Sequence, residues 1–335
     1  MNKKCFVIAD VAQAHDGSLG FAHAFIDAVA ETGADCVKFQ THIAAEESTP
    51  GEPWRVKFSP QDDTRFEYWQ RMEFTEPQWI GLKEHAEDKG LEFMSSPFSF
   101  KAFDFLKSIG VKKWKIASGE TTNTPLLDKI IETGDEVIIS SGMSKVSEID
   151  SVIKRIRKHH ENYSLMQCTS MYPCPPEFVG INVLDFYQKR YNCKVGLSDH
   201  SGTIFPGIAA ASMGAELLEV HITLSKRMYG PDVSSSLETN ELKLLVDGVR
   251  FFEKALSNPV DKDQMADKLQ DLRNIFQKSI VARVDISEGE SLCEKNITLK
   301  KPGTGIPAAK YHELLGKTAS RIIKKDELIV PEDFR

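Results

Sequence analysis

Short apolar, β-rich runs alternate with longer amphipathic stretches from the start of the chain to about residue 255, the pattern of repeated βα units around a parallel sheet. Eight runs read as strands: Phe6–Ala9, Cys36–Gln40, Leu91–Ser95, Lys112–Ile116, Glu136–Ser140, Ser164–Cys168, Lys194–Leu197 and Leu217–Val220. Between them, apolar positions three and four apart predict helices such as Gly20–Glu31, Glu76–Lys89, Pro125–Glu132, Val146–His159 and Pro206–Gly214, with a last one at Asn240–Leu256. Eight units in about 250 residues is the size of a closed barrel, whereas a doubly wound open sheet carries fewer strands and a glycine-rich dinucleotide turn. No Gly-x-Gly-x-x-Gly follows any of these strands. The expected fold class is therefore α/β, a (β/α)8 TIM barrel.

Two stretches break the pattern. Residues 41–74 form an unusually long connection after the second strand, on the face where barrel enzymes build their sites. Arg55, Lys57, Arg65 and Arg71 are within its reach of a ligand, although a solvated charged loop has the same composition. The chain then turns polar at 257–275, which reads as a linker between a barrel domain at 1–256 and a small C-terminal domain at 276–335. That tail is β-rich and turn-rich, with turns at Asp285-Ile-Ser-Glu-Gly-Glu, Pro302-Gly-Thr-Gly and Lys324-Lys-Asp-Glu. About 60 residues make a marginal isolated core, so the tail is expected to dock on the barrel or on a partner subunit.

Composition narrows the function. With 335 residues, 41% hydrophobic and a net charge of −7, the chain can bury a large core but lacks the basic stripe of a nucleic-acid binder. The run Cys5-Phe-Val-Ile-Ala is too short for the core of a signal peptide, and no window of about 18 apolar residues predicts a membrane span. Six cysteines without C-x-x-C spacing read as free thiols in a reducing compartment, so a cytoplasmic location is expected.

Candidate chemistry clusters at strand ends. Gly196-Leu-Ser-Asp-His200 closes the seventh strand and Glu219-Val-His221 the eighth, so both imidazoles can reach one cation across adjacent strands about 4.8 Å apart. Two ordinary polar residues at a barrel mouth would look the same. Asp199 and Glu219 beside them are suited to orienting imidazoles or handling protons.

Lys38 and Gln40 point to one side of the second strand by alternation, and Lys115, Ser118, Ser140 and Ser198 stand at other strand ends. Taken singly these lysines could be surface residues. Taken together with the serines they suggest an anion cradle, because inward lysines need a bound anion or carboxylate partners. Asp10 and His15-Asp-Gly17 follow the first strand, where Asp10 is either a base or the start of an Asx turn.

In order along the chain, Asp10…His15-x-Gly17, Lys38-Phe-Gln40, Ser96-Pro-Phe98, Lys115-x-x-Ser118-Gly-Glu120, Ser140-x-Gly-Met143, Cys168-Thr-x-x-Tyr172-Pro, Gly196-x-Ser-Asp-His200 and Glu219-x-His221-x-Thr-Leu224 resemble the sialic acid synthase family. Pro302-Gly-Thr-Gly-Ile306 and Leu315-Gly-Lys317 look like that family's antifreeze-like (SAF) domain, so the likeness spans nearly the whole chain. It implies condensation of phosphoenolpyruvate with the open-chain aldehyde of N-acetylmannosamine or a related amino sugar, with release of phosphate. It also implies alternative acceptors, the 2,4-diacetamido-6-deoxy sugars of legionaminic or pseudaminic acid synthases.

By the same resemblance, His200 and His221 hold a divalent metal, Mn2+ or Mg2+. Lys38, Ser96, Lys115, Ser118, Ser140 and Ser198 cradle phosphoenolpyruvate, while Gln40, Glu120, Ser170, Tyr172, Asp232 and Lys301 face the sugar. Asp10, Glu120 and Glu219 are the implied catalytic carboxylates. The implied assembly is a domain-swapped homodimer.

The chain departs from the usual motifs at Asp10 in place of Glu, Ala14 and Ser170 each in place of Asn, and Lys301 in place of Arg. Lysine does not reproduce a two-pronged guanidinium contact. These changes also admit a rival reading, a catalytically inactive barrel with a binding or regulatory role.

Overall fold

The structure is a computed structural model that describes residues 4–335. The chain divides into two compact units, one ending at Asn258 and one running from Pro259 to Arg335.

In the first unit eight strands close on themselves: β1 (Phe6–Ala12), β2 (Cys36–Thr41), β3 (Glu92–Pro97), β4 (Lys113–Ile116), β5 (Glu136–Ser140), β6 (Tyr163–Cys168), β7 (Lys194–Asp199) and β8 (Leu217–Thr223). Each pairs in parallel with the next, and β1 pairs with β8, which makes the expected TIM barrel. A short ninth strand, β9 (Ser236–Glu238), extends the β8 edge from His221 onward. Every barrel strand starts within one residue of the sequence expectation, but β1 runs on to Ala12 and β8 to Thr223.

The period-two alternation of a strand explains the two cores. Outward-facing Val7, Ala9, Val37, Phe39, Trp114, Ile139, Leu165, Leu197, Leu218 and Val220 pack under the helices in one continuous cluster. Inward-facing Ile8, Cys36, Met94, Ile138, Met166 and Leu217 plug the barrel. Two residues further along each strand, the same inward rows turn polar: Asp10, Lys38, Ser96, Ser140, Cys168 and Glu219. Gly196 keeps the inward row of β7 empty at the plug level, because a Cβ there would sit 2.7 Å from the Leu217 Cβ.

The 41–74 stretch is more ordered than a loop. It holds a short helix, Ala44–Glu47, and a longer one, Arg65–Met72, which buries Tyr68, Trp69 and Met72 against Trp54, Phe58 and Phe66. The signal is local: Thr64 Oγ1 accepts from the Glu67 N–H at 3.1 Å and Glu67 Oε2 accepts from the Thr64 N–H at 2.9 Å, a capping box.

The stretch expected to be a linker likewise holds helices at Lys262–Lys268 and Gln270–Phe276. Asp261 caps the first by accepting from the N–H groups of Asp263 and Gln264. Its polar composition is that of a solvated helix as much as of a linker. The remainder of the second unit pairs β10 (Ser279–Ala282) antiparallel with β11 (Ile297–Lys300). Its own small core gathers Ile280, Ile286, Leu292, Ile297, Leu314, Ile323 and Ile329. Among the described residues no helix is long and apolar enough to cross a membrane, and all six cysteines are unpaired.

Candidate active site

At the carboxyl end of the barrel lies a cavity of about 430 Å3. It has a floor carried by the strands and a rim carried by the loops beyond them. On the floor, strand register gathers the charged groups: Asp10 is the direct neighbour of Lys38 on one side and of His221 on the other, and Ser198 is the neighbour of Glu219.

Lys38 Nζ lies 2.7 Å from Asp10 Oδ2 and 3.9 Å from Glu219 Oε1, with the Lys38 and Asp10 side chains each 2% exposed. Lys115 Nζ lies 3.1 Å from Glu219 Oε1. Burial alone would push the Asp10 carboxyl up, but Lys38 and His221 beside it outweigh burial and hold it below the usual carboxylate range. Lys38 answers in kind: burial disfavours its charge, and Asp10 and Glu219 more than restore it.

Three floor atoms are buried without a hydrogen-bond partner: Ser140 Oγ, Glu219 Oε2 and His221 Nδ1. Buried polar atoms are almost always paired, so a cluster of unpaired ones around a cavity marks where a ligand belongs. Gly142 keeps this wall open. A Cβ there would stand 2.7 Å from Ser118 Oγ and 2.9 Å from Cys168 Sγ, and its own N–H donates to Ser118 Oγ at 3.0 Å.

The two histidine rings stack with centroids 5.2 Å apart. His200 Nδ1 donates to the Thr169 carbonyl at 2.9 Å, which fixes that nitrogen as a donor. Burial holds His221 below the usual imidazole range despite Asp10, whose Oδ2 is 3.5 Å from Nδ1. A neutral buried imidazole with an unpartnered nitrogen, next to a second whose tautomer is fixed, is a donor set that fits a divalent ion. Among the described residues no group of three His, Cys, Asp or Glu is placed to hold a metal ion.

The rim is built differently. Arg55 Nη2 donates to Asp232 Oδ1 at 2.6 Å and to the Pro231 carbonyl at 2.9 Å, and its guanidinium lies 4.2 Å over the Tyr172 ring. This ties the 41–74 segment to the connection after β8. Arg65 pairs with Glu52 at 3.2 Å, and Glu52 also accepts from Trp69 Nε1 at 2.9 Å. Glu120 accepts from Asn123 Nδ2 at 2.7 Å; burial first, and Glu47 second, raise its carboxyl above the usual value of 4.5.

A directed chain of hydrogen bonds joins rim to floor. Gln40 Nε2 donates to Asp10 at 3.3 Å, and Gln13 Nε2 donates both to Gln40 Oε1 at 2.7 Å and to His42 Nε2 at 2.8 Å. His42 Nδ1 then donates to Glu47 Oε1 at 2.6 Å, while its ring stacks on Trp69 and Phe98.

The cavity collects Asp10, Lys38, Gln40, Ser96, Lys115, Ser118, Glu120, Ser140, Ser170, Tyr172, Ser198, His200, Glu219, His221 and Asp232, whereas Asp199, also singled out from the sequence, does not line it and accepts from the Ser201 N–H at 3.1 Å and from Ser201 Oγ at 2.7 Å. Lys301 belongs to the second unit, where its Nζ lies 4.9 Å over the Phe276 ring. Of the basic residues in the 41–74 segment, Arg55 and Arg65 line the cavity. Arg71 is instead tied to Asp62 and Asp16. Gln13, His42, Glu47, Glu52, Trp54, Trp69 and Cys168 also line it and were not expected from the sequence. Alternation signalled Cys168, two residues beyond the inward Met166; Gln13 follows the end of β1, and His42, Glu47, Glu52, Trp54 and Trp69 depend on how the long segment folds back.

Fold and site together define a (β/α)8 barrel with a charged, ligand-binding mouth and a small β-rich companion domain. The NeuB family profile matches residues 25–261 and the SAF domain profile residues 277–335. The chain is 37% identical over 333 residues to an N,N'-diacetyllegionaminic acid synthase of Campylobacter jejuni, covering 98% of this chain and 99% of that one. It is 35% identical to the human N-acetylneuraminate-9-phosphate synthase, covering 98% and 92%. Among solved structures, an N-acetylneuraminic acid (sialic acid) synthetase from Leptospira borgpetersenii superposes with a TM-score of 0.70 at 28% identity, covering 81% of this chain and 92% of that one. The chain belongs to the NeuB family and carries a SAF domain.

Proposed function

We propose that this protein is a nonulosonic (sialic-type) acid synthase that condenses phosphoenolpyruvate with an amino-sugar aldehyde and releases phosphate. The observation that carries this reading is the floor itself: two buried lysines and three unpartnered polar atoms around one cavity, within a family of such synthases. Lys38 and Lys115, with the hydroxyls of Ser96, Ser118, Ser140 and Ser198, hold the carboxylate and phosphate of phosphoenolpyruvate. Carbon 3 of the enol attacks the sugar aldehyde, water adds at carbon 2, and the C–O bond to phosphate breaks.

Glu219 is anchored through Oε1 by Lys115 and keeps Oε2 unpartnered in the cavity, the atom suited to taking the proton of the incoming water. Asp10, held ionised by Lys38, orients that ammonium and His221. Gln40, Glu120, Ser170, Tyr172 and Asp232 face the sugar. His200 and His221 would hold a divalent ion, Mn2+ or Mg2+, which supplies Lewis-acid polarisation of the aldehyde oxygen when bound.

The reading extends to a cytoplasmic enzyme, supported by its six unpaired cysteines, and to a domain-swapped homodimer in which Lys301 serves the partner's barrel. Light scattering of the purified protein tests the dimer. For the reaction, the protein is incubated with phosphoenolpyruvate, Mn2+ or Mg2+ and a panel of amino sugars, and phosphate release is followed with mass detection of the 2-keto acid. Phosphate release with one of the sugars and a product of summed carbon count is expected; no release above background with the full panel would sink the proposal.

A further inference from the structure

Gln13 and His42 line the cavity but are only 5% and 6% exposed, and their polar atoms are engaged with other side chains. Gln13 directly follows β1 and His42 directly follows β2, so neither belongs to the inward rows of the barrel. The His42 ring is sandwiched between Trp69, at a centroid distance of 4.2 Å and an angle of 21°, and Phe98, at 4.5 Å and 13°. Its Nδ1 lies 2.6 Å from Glu47 Oε1 and its Nε2 lies 2.8 Å from Gln13 Nε2. The ring is therefore held on both faces and at both nitrogens.

The network has a direction, and Asp10 sets it. An ionised carboxylate only accepts, so the Gln40 amide turns its Nε2 toward Asp10 Oδ2, at 3.3 Å. Gln40 Oε1 is left facing Gln13, whose Nε2 donates to it at 2.7 Å. With Gln40 turned over, an amide oxygen would face the carboxylate and two amide nitrogens would meet at Gln13. With Gln13 turned over, two amide oxygens would meet. Each amide thus holds the other in one orientation, and His42 keeps Gln13 within reach of Gln40.

From this geometry we infer that Gln13 and His42 are positioning residues of the reaction, which together hold the Gln40 amide in one of its two orientations. His42 is the joint that makes this orientation depend on the fold of the 41–74 segment, through Trp69 and Glu47. The inference rests on the synthase reading, in which Gln40 faces the acceptor, and adds two residues that reach the acceptor only through Gln40. Freed from Gln13, the amide would spend part of its time turned over, and bound sugar would be misaligned with the enol.

The test is a double-mutant cycle with phosphoenolpyruvate, Mn2+ and whichever of N-acetylmannosamine, its 6-phosphate or a 2,4-diacetamido-6-deoxyhexose gives the highest wild-type rate, followed by mass detection of the 2-keto acid. His42→Phe keeps a flat ring between Trp69 and Phe98 and removes only the bonds to Gln13 and Glu47. Gln13→Leu removes the amide and leaves the sandwich intact, so it carries the cycle alone should His42→Phe fail to fold. Each is expected to lower kcat/KM for the acceptor about 30-fold while KM for phosphoenolpyruvate stays within about twofold. In a Gln40→Ala background the same substitutions should cost less than about twofold, because the group they act through is already gone. Losses that persist in that background, losses that fall on phosphoenolpyruvate, or single variants that turn over like wild type overturn the inference and leave the synthase reading standing. A wild type that makes no product with any of the three sugars overturns the synthase reading, and this inference with it.

Discussion

The floor and the rim of one cavity hold their charges on different terms. On the floor, Asp10 and Lys38 meet at 2.7 Å with almost no exposure, and every carboxylate has a lysine within reach. On the rim, Arg55 is 38% exposed while it bridges to Asp232, and Glu120 has a neutral amide as its partner. Strand register sets the first arrangement, because neighbours in a closed parallel barrel cannot slide without flipping their side chains. Loop packing sets the second, which leaves it free to differ between relatives that act on different sugars. The floor fits a fixed substrate and the rim a variable one.

The sharpest way to break that division is to remove the lysine that anchors Glu219. Lys115→Met is expected to lower kcat/KM for phosphoenolpyruvate by about 1,000-fold or more, since it removes a charge-assisted contact and leaves Glu219 without its nearest cation. Steady-state phosphate release measures this. A loss below about tenfold would mean that Lys115 does not touch the substrate.

The next largest effect is on stability. Lys38→Met leaves Asp10 buried and unpaired, and is expected to destabilise the fold by about 3–5 kcal/mol in urea titrations. Adding Asp10→Asn should recover most of that loss while activity stays absent. If the single variant unfolds at the wild-type midpoint, the pair is not the closed unit its geometry describes.

On the rim, Arg55→Ala is expected to raise KM for the acceptor about tenfold and to leave KM for phosphoenolpyruvate within about twofold. Equal effects on both substrates would erase the distinction between the two regions.

The floor was legible in the sequence because period-two alternation and the position of strand ends are enough to locate inward residues. Lys38, Gln40, Ser96, Ser140, Ser198, Glu219 and His221 follow from that rule. The rim was not legible in the same way. Arg55 and Arg65 stood out as basic residues in a long connection, but so did Arg71, which is spent on Asp62 and Asp16. Only the folding of that segment, its capping box at Thr64 and its cluster of Trp54, Tyr68 and Trp69, decides which side chains reach the cavity. The helices at 262–276 escaped for a related reason: a polar composition predicts exposure, not the absence of helix.

The smallest effect tests the comparison through the sign of a stability change. Glu120 has its carboxyl raised above 4.5, by burial first and by Glu47 second, so its ionised form is destabilising at neutral pH. A folded-state value above the unfolded one means that the folded chain binds the proton first as pH falls. The penalty is thus fully present above the folded value and is relieved as pH drops toward 4.5. Glu120→Gln, which can still accept from Asn123, is therefore expected to raise the urea midpoint slightly at pH 7.5, by no more than about 0.5 kcal/mol for a partly exposed group. Its advantage should vanish near pH 4.5. Asp10 is the control with the opposite sign, since its carboxyl is held below the usual range and its replacement by Asn removes a stabilising partner of Lys38. A Glu120→Gln midpoint at or below wild type at pH 7.5 would show that the rim holds its charge as comfortably as the floor does.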